Sequence, residues 1–390
     1  MTASGRRIYL DYNASAPLLP EARDAFVRAL DITGNPSSVH AEGRSARAAL
    51  EKARASVAAL VGASPAQVVF TSGASEAAAT CLTPAWRDAG QSITLPRLAV
   101  LDTDHPCLRE GGRFAEGDVT RLPVDRDGII DLRTLGAWAE EGPGLLALTL
   151  ANSETGTLQP AEAIASICRE HGIRLVLDVV QAAGRLPIDT LLPLADALIL
   201  SGHKIGAPKG VGAFVLRSED VRPEPLLTGG AQETRQRAGT EALPAIVAFG
   251  AAADAALQGL ERAGELAGAR RHLVDRLARL DPKLVIGRPE TTLPQTVAIH
   301  HPSLKAETLQ IALDLQGIAV SAGSACSSGK LGPSHVLASL EAAGAPIDAK
   351  AGAIRVSFGL ETSLDELDAF ATAFERIWRR SVGDEDPKAA

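Results

Sequence analysis

What most constrains this chain is a series of short, almost continuously apolar runs separated by stretches of helical length. QVVFTS (67–72), RLAVLD (97–102), LLALTL (145–150), RLVLDV (174–179), DALILS (196–201) and GAFVLR (212–217) show no in–out alternation. Each is therefore predicted as a strand buried on both faces. Amphipathic segments such as 43–62, before the first run, and 160–172, between the third and fourth, accompany the runs, and strands interleaved with helices predict an α/β fold with a mainly parallel, doubly covered sheet. From about Leu243 to Leu280 the sequence reads as a long Ala-rich helix with possible breaks. The short runs PKLVIG, TVAIHH, GIAVSAG and AIRVSFG then alternate with two more helical segments and predict a smaller α+β layer.

Two polar residues stand where buried strands leave the core. Asp178 ends RLVLD and Lys204 follows ADALILSGH, and in open α/β sheets that edge is where ligands bind. Taken alone, Asp178 is better read as a helix cap and Lys204 as a solvated loop lysine. Together, with Gln181, His203 and the GAPKGVG turn, they suit a pyridoxal phosphate site: an acid to keep a pyridine nitrogen protonated and an amine to bond the aldehyde. TSGASE (71–76) follows one strand and opens a helix, where free amides and the Ser75 hydroxyl could cradle a phosphate. His105 sits just past another strand end, and Asn152 and Glu154 of ANSETGTLQP past a third. Arg355, in AIRVSFG, is either a carboxylate clamp or half of a structural ion pair.

Composition excludes other classes. With 46% hydrophobic and 22% charged residues the chain is globular, and its length suits two or three domains. A net charge of −8 argues against nucleic acid or an anionic membrane as a bulk partner. No apolar stretch is expected to span a membrane and the first residues lack the apolar core of a secretion signal, so the expected compartment is the cytoplasm. The cysteines at 81, 107, 168 and 326 show no CxxC spacing, and no metal is expected. Cys81, Cys107 and Cys168 read as small buried thiols, whereas Cys326, in SAGSACSSGKLGP, reads as an exposed thiol on a mobile loop, with Lys330 the nearby cation.

These motifs converge on a family. YLDYNASAP, GNPSSVHAEGRSA, FTSGASEA, DHP, ANSETGTLQP, DVVQAAGRLPID, SGHKIGAPKGVG, GGAQETRQRAGTEA, SAGSACSSG and IRVSFGLETSLDEL resemble the cysteine desulfurases of the class V aminotransferase group, fold type I of the pyridoxal phosphate enzymes. SGHK and SACSS at this spacing are specific; TSGASE or IRVSFG alone is not. The resemblance implies a large cofactor-binding domain over 15–255 with a seven-stranded, mainly parallel sheet. It implies a small α+β domain formed by 1–14 and 256–390.

The implied site follows residue by residue. Lys204 would tether the cofactor aldehyde, Asp178 would pair with the pyridine nitrogen, Gln181 would reach the phenolic oxygen and His105 would stack on the ring. Gly73, Ala74, Ser75, Ser201 and His203 would hold the phosphate, with Thr240 reaching in from a second subunit of a homodimer. Asn35 and Arg355 would bind the carboxylate of L-cysteine, and Cys326 would take the sulfur as a persulfide for a protein acceptor such as an iron–sulfur scaffold. Ser153 stands where the family usually has an Asn near the phenolic oxygen, and the stretch from Pro84 to Leu98 is unusual. A selenocysteine lyase or an aminotransferase is the alternative within the fold; a catalytically weak assembly partner is the alternative outside it.

Overall fold

The computed structural model describes residues 7–323 and 334–382, so Cys326 and Lys330 lie outside the described residues. The six apolar runs form strands of a seven-stranded sheet: β1 (Val68–Thr71), β2 (Leu98–Leu101), β4 (Leu145–Thr149), β5 (Arg174–Asp178), β6 (Ala197–Ser201) and β7 (Gly212–Leu216). The seventh strand, β3 (Val119–Leu122), carries the polar sequence VTRL. It pairs on one side only, in the order β1-β7-β6-β5-β4-β2-β3, and an edge strand has no need of an apolar run. All pairings are parallel except those of β7 with β1 and β6.

Alternate residues of each strand feed opposite cores. Val68, Phe70, Leu175, Leu177, Leu198 and Leu200 pack into one apolar cluster, while Val69, Val176, Ile199 and Phe214 pack into the other. Burying one such side chain contributes about 1.5–3 kcal/mol, so the register of the sheet is firmly held. Polar residues at strand ends are carried to fixed places.

One face is covered by α1 (Pro20–Ala29), α2 (Ala41–Leu60) and α4 (Leu243–Gly259). A Cβ on Gly250 would sit 2.7 Å from Ala53 Cα, so α4 crosses α2 at backbone contact distance. Contrary to the expectation of no membrane-length stretch, the run Leu243–Ala278 is long and apolar enough for one. Within it Leu243, Ile246, Phe249 and Ala253 are buried, and a 3-10 turn at Leu260–Arg262 breaks the run. The unusual stretch 84–98 forms a hairpin, Ala85–Asp88 with Gln91–Thr94, joined by Val221–Pro223; its Trp86 is fully buried.

A second core, containing Leu273, Leu313, Val356, Phe370 and Phe374, lies on a four-stranded antiparallel sheet in the order β8-β9-β11-β10. These strands are Val285–Ile286, Thr296–Ile299, Ile354–Ser357 and Ser321–Ala322 respectively. Ile8 and Leu10 belong to this core because Ile8–Tyr9 pairs in parallel with Ile318–Ala319. The chain then crosses to the large sheet, where Ala16 N bonds His203 O and Leu19 N bonds Gly206 O. Asn13 lies between the two.

Candidate active site

Because β1, β4, β5 and β6 run the same way, their carboxyl ends bring Thr71, Thr149, Asp178 and Ser201 to one edge. β7 runs oppositely, so its first residue, Gly212, sits between Thr71 and Ser201. A Cβ there would lie 2.7 Å from Gly73 Cα, and only glycine lets the turn before α3 (Ala74–Cys81) pack onto β7. Along this edge a cavity of about 460 Å³ is lined by Ser72–Glu76, His105, Cys107, Thr149, Ser153, Asp178, Gln181, Ser201, His203, Lys204 and Lys209, among others.

At one end of the cavity α3 starts without a side-chain cap, and an added Cβ on Gly73 would meet nothing within 4 Å. Uncapped first-turn amides facing open space, beside Ser201, His203 and Lys209, form a site suited to a phosphate. At the other end Asp178 is buried, its Oδ1 accepting from Val180 N at 2.9 Å. Burial pushes its carboxyl up to about 6, against the lowering influence of that bond and of Lys204. A buried acid of this kind is stabilised by a cationic ring nitrogen. Thr149 lines the same region, its Oγ1 buried. The donor set thus fits pyridoxal phosphate at both ends.

His105 caps the turn Pro106–Arg109, its Nδ1 accepting from Cys107 N at 3.2 Å. An N–H can only donate, so the neutral ring carries its proton on Nε2. Burial, with Lys204 nearby, pushes the imidazole down to about 4, which keeps it neutral near neutral pH. His203 is likewise pushed down to about 4 by burial and Lys204.

The Lys204 amine donates to Asn13 O at 2.6 Å and Ala14 O at 3.0 Å. Gln181 Nε2 donates to the same Asn13 carbonyl at 3.0 Å. Arg355 is buried, with Nη2 on Asp11 Oδ1 at 2.7 Å and on Ser321 Oγ at 3.0 Å, and Nη1 on the Ser153 carbonyl at 2.9 Å. Its Nε is buried without a partner among the described residues. Of the two readings of Arg355, the ion pair is therefore present, and the guanidinium also reaches a residue of the cavity wall.

Several expected residues fall elsewhere. Asn35 is exposed, its Oδ1 accepting from Ser37 N at 2.8 Å; it forms a turn before α2 and does not line its own chain's cavity. Thr240 is also exposed and outside that cavity. Asn152 uses its Oδ1 on the amides of Glu154 and Thr155 and its Nδ2 on Thr103 O, so it is a turn residue. Glu154 accepts from Ser334 Oγ at 2.6 Å. Cys107, expected as a buried thiol, is half-buried and lines the cavity with its Sγ 3.0 Å from His105 Nδ1. Cys81 and Cys168 are buried, and burial pushes the Cys168 thiol up to about 12.

Three residues escaped the sequence reading. Asn13 lies in YLDYNASAP, but no spacing rule ties it to Lys204, which is 191 residues away. Asp104 accepts from the amides of Leu101 and Thr149, each at 2.7 Å, and burial pushes it up to about 7. Arg185, in AAGRLP, is buried between Asn13 and Gln181. Only its adjacency to the Gln181 motif pointed toward the site.

The family model for class-V aminotransferases matches residues 8–370. A cysteine desulfurase of Cereibacter sphaeroides is 40% identical over 376 residues, covering 93% of this chain and 93% of its own. Cysteine desulfurase IscS of Dictyoglomus turgidum is 34% identical over 381 residues, covering 95% and 94%. A solved NifS-like protein superposes with a TM-score of 0.81 at 28% identity, covering 95% of this chain and 99% of that one. The chain belongs to the cysteine desulfurases of the class-V aminotransferase family.

Proposed function

We propose that this protein is a pyridoxal phosphate-dependent cysteine desulfurase, converting L-cysteine to L-alanine and passing the sulfur to a protein acceptor for iron–sulfur cluster or other thio-cofactor assembly. The observation that carries this reading is that Asp178, His105, Gln181, Ser201, His203 and Lys204 line one cavity next to the uncapped start of α3. We read residues 15–255 as the cofactor domain and 1–14 with 256–390 as the small one, in a cytoplasmic homodimer.

In this reading Lys204 would hold the cofactor aldehyde, Asp178 the ring nitrogen, His105 the ring face and Gln181, with Ser153, the phenolic oxygen. The amides of Gly73 and Ala74 with Ser75, Ser201, His203 and Thr240 of the partner subunit would hold the phosphate. When bound, the cofactor supplies an electron sink that makes the substrate's Cα proton acidic and its sulfur open to thiolate attack. The chain's own groups do the rest. Lys204, held by the Asn13 and Ala14 carbonyls, takes and returns protons at Nζ. His105 offers a proton at Nε2. Arg355 receives the substrate carboxylate, its Nε, without a partner among the described residues, giving a donor that Asp11 does not use. The Cys326 thiolate forms a bond to the substrate sulfur as the carbon–sulfur bond breaks. The electron pair stays on the carbon, which is protonated to give alanine.

The test is to supply the purified protein with the cofactor and L-cysteine and follow alanine and sulfide. The Cys326→Ala variant is expected to keep the visible cofactor band and lose sulfur release. Undiminished sulfur release in that variant overturns the persulfide role, and a protein that acquires no borohydride-sensitive band overturns the whole reading. Comparing alanine release from cysteine with that from selenocysteine separates the selenocysteine lyase alternative.

A further inference from the structure

Arg185 has no part in the chemistry above, yet it joins the segments that surround the Lys204 amine. It is buried, 7% exposed. Its Nη1 donates to Asn13 Oδ1 at 2.8 Å, to the Gln181 side-chain oxygen and to the Gln181 carbonyl at 3.3 Å. Its Nη2 donates to the carbonyls of Tyr12 and Lys204, both at 3.4 Å. The Gln295 amide, with its oxygen turned inward, accepts from Nη1 and Nε at 3.2 Å.

We propose that Arg185 is a positioning residue that sets the polarity of the amides around Lys204, so that Gln181 presents its NH2 group, and never its oxygen, to the cofactor's phenolic oxygen. This rests on the cofactor reading above. A guanidinium has only donors. Turning the Gln181 amide over would set donor against donor in a buried site. With its oxygen fixed on Arg185, the Gln181 nitrogen must face the other way, and there it meets the Asn13 carbonyl at 3.0 Å.

Asn13 obeys the same constraint. Its Oδ1 is held by Arg185, and its Nδ2 donates to the Ser153 carbonyl at 3.1 Å and Thr296 Oγ1 at 3.0 Å. One buried cation thereby orients two amides, and the carbonyl of the second holds the Lys204 amine at 2.6 Å. The arrangement matters because position 153, on the cavity wall, is a serine. Among the described residues lining the cavity, Gln181 is the side-chain amide, so the polarity of one group decides whether a phenolate meets an N–H or a lone pair.

A donor to a phenolate lowers the pH at which it loses its proton, and removing the donor raises it. The experiment reads the pH midpoint of the bound cofactor's visible band, together with pyridoxal phosphate affinity of the apo-protein, in wild type, Arg185→Met, Arg185→Lys and Gln181→Ala. Arg185→Met is expected to move the midpoint up by about one unit and weaken cofactor affinity about tenfold; Arg185→Lys, which keeps a buried donor, is expected to move it by less than half as much. In the Gln181→Ala background, Arg185→Met is expected to move nothing further.

An unmoved midpoint in Arg185→Met overturns the proposal, and so does a shift of undiminished size in the Gln181→Ala background, because Arg185 would then act by another route. Thermal unfolding identifies a variant that fails to fold. If Arg185→Met does, Arg185→Lys alone and over Gln181→Ala gives the same decision. A wild-type protein that takes up no cofactor overturns the proposed function as well, whereas a normal wild-type band with unmoved variants overturns this inference alone.

Discussion

On the sheet side of Lys204, Thr149, Asp178 and Ser201 stand at the ends of strands whose register is fixed by backbone pairing. The second wall is Ala14, which lines the cavity, with Asn13 and its partners behind the Lys204 amine. The Asn13 amide donates to Ser357 Oγ, 344 residues away, and its side chain to Thr296, 283 residues away. The first wall is held by a ladder and two apolar cores, so no single polar bond is essential to its shape. The second is held by individual buried polar bonds that also tie the small core to the cavity. The sheet wall should tolerate polar substitution structurally while losing chemistry; the Asn13 wall should lose structure and chemistry together.

The largest effect is expected at Lys204, which follows the sheet strand β6 and meets the Asn13 side with its amine. Lys204→Ala is expected to leave folding nearly unchanged but reduce turnover by about 1,000-fold or more, with no borohydride-fixable band. A matching collapse in thermal stability would erase the contrast between the walls. On the other wall, Arg355→Ala leaves the Asp11 carboxylate without its guanidinium and is expected to cost about 3–5 kcal/mol in urea unfolding, along with a raised KM for cysteine. Adding Asp11→Asn should recover much of that stability but not the KM, which separates the ion pair from substrate binding.

A third prediction concerns Asp104, whose carboxyl is pushed up to about 7 by burial, with Asp178 adding to the shift and the Thr149 and Leu101 amides opposing it. The His335 ring bonds its carbonyl at 2.9 Å. Because the folded state holds this proton more tightly than the unfolded chain, stability falls as pH rises from about 4 to about 7, then levels off. Asp104→Asn should remove its own share of that slope, on the order of 1–4 kcal/mol across the window, measured by urea unfolding at several pH values; Asp178, pushed up to about 6, keeps a share over the lower part of the window. An unchanged slope would assign it to other groups. The smallest effect is expected for Ser153→Asn. The bonds from Asn13 and Arg355 go to the Ser153 backbone carbonyl, so stability should change by about 0.5 kcal/mol or less. A larger change in Tm would mean that the side chain itself supports the wall.

The sheet wall was largely legible in the sequence because buried strands need continuous apolar runs and their ends are marked by the first polar residue. Asp178 and Ser201 could be placed that way. β3 could not, since an edge strand with the sequence VTRL lacks the burial that writes the signal. The opposite wall was hidden for another reason. Asn35 and Asn13 are both polar residues in Pro- or Ala-rich loops, and only the pairing of Ile8–Tyr9 with Ile318–Ala319 brings Asn13 to Lys204 and leaves Asn35 outside. Arg355 carried two readings until its partner Asp11 arrived by the same pairing. The exposure of Cys107 beside His105 likewise depends on how the turn at Pro106 meets the cavity.

By itself the sequence determined the α/β class, six of the strands of the main sheet and the residues at its binding edge, because periodicity and apolar content are local and energetically dominant. The tertiary structure decided which distant polar groups complete the cavity. A buried donor or acceptor must find a partner wherever the packed cores leave one, and that choice is made only when segments hundreds of residues apart come into contact.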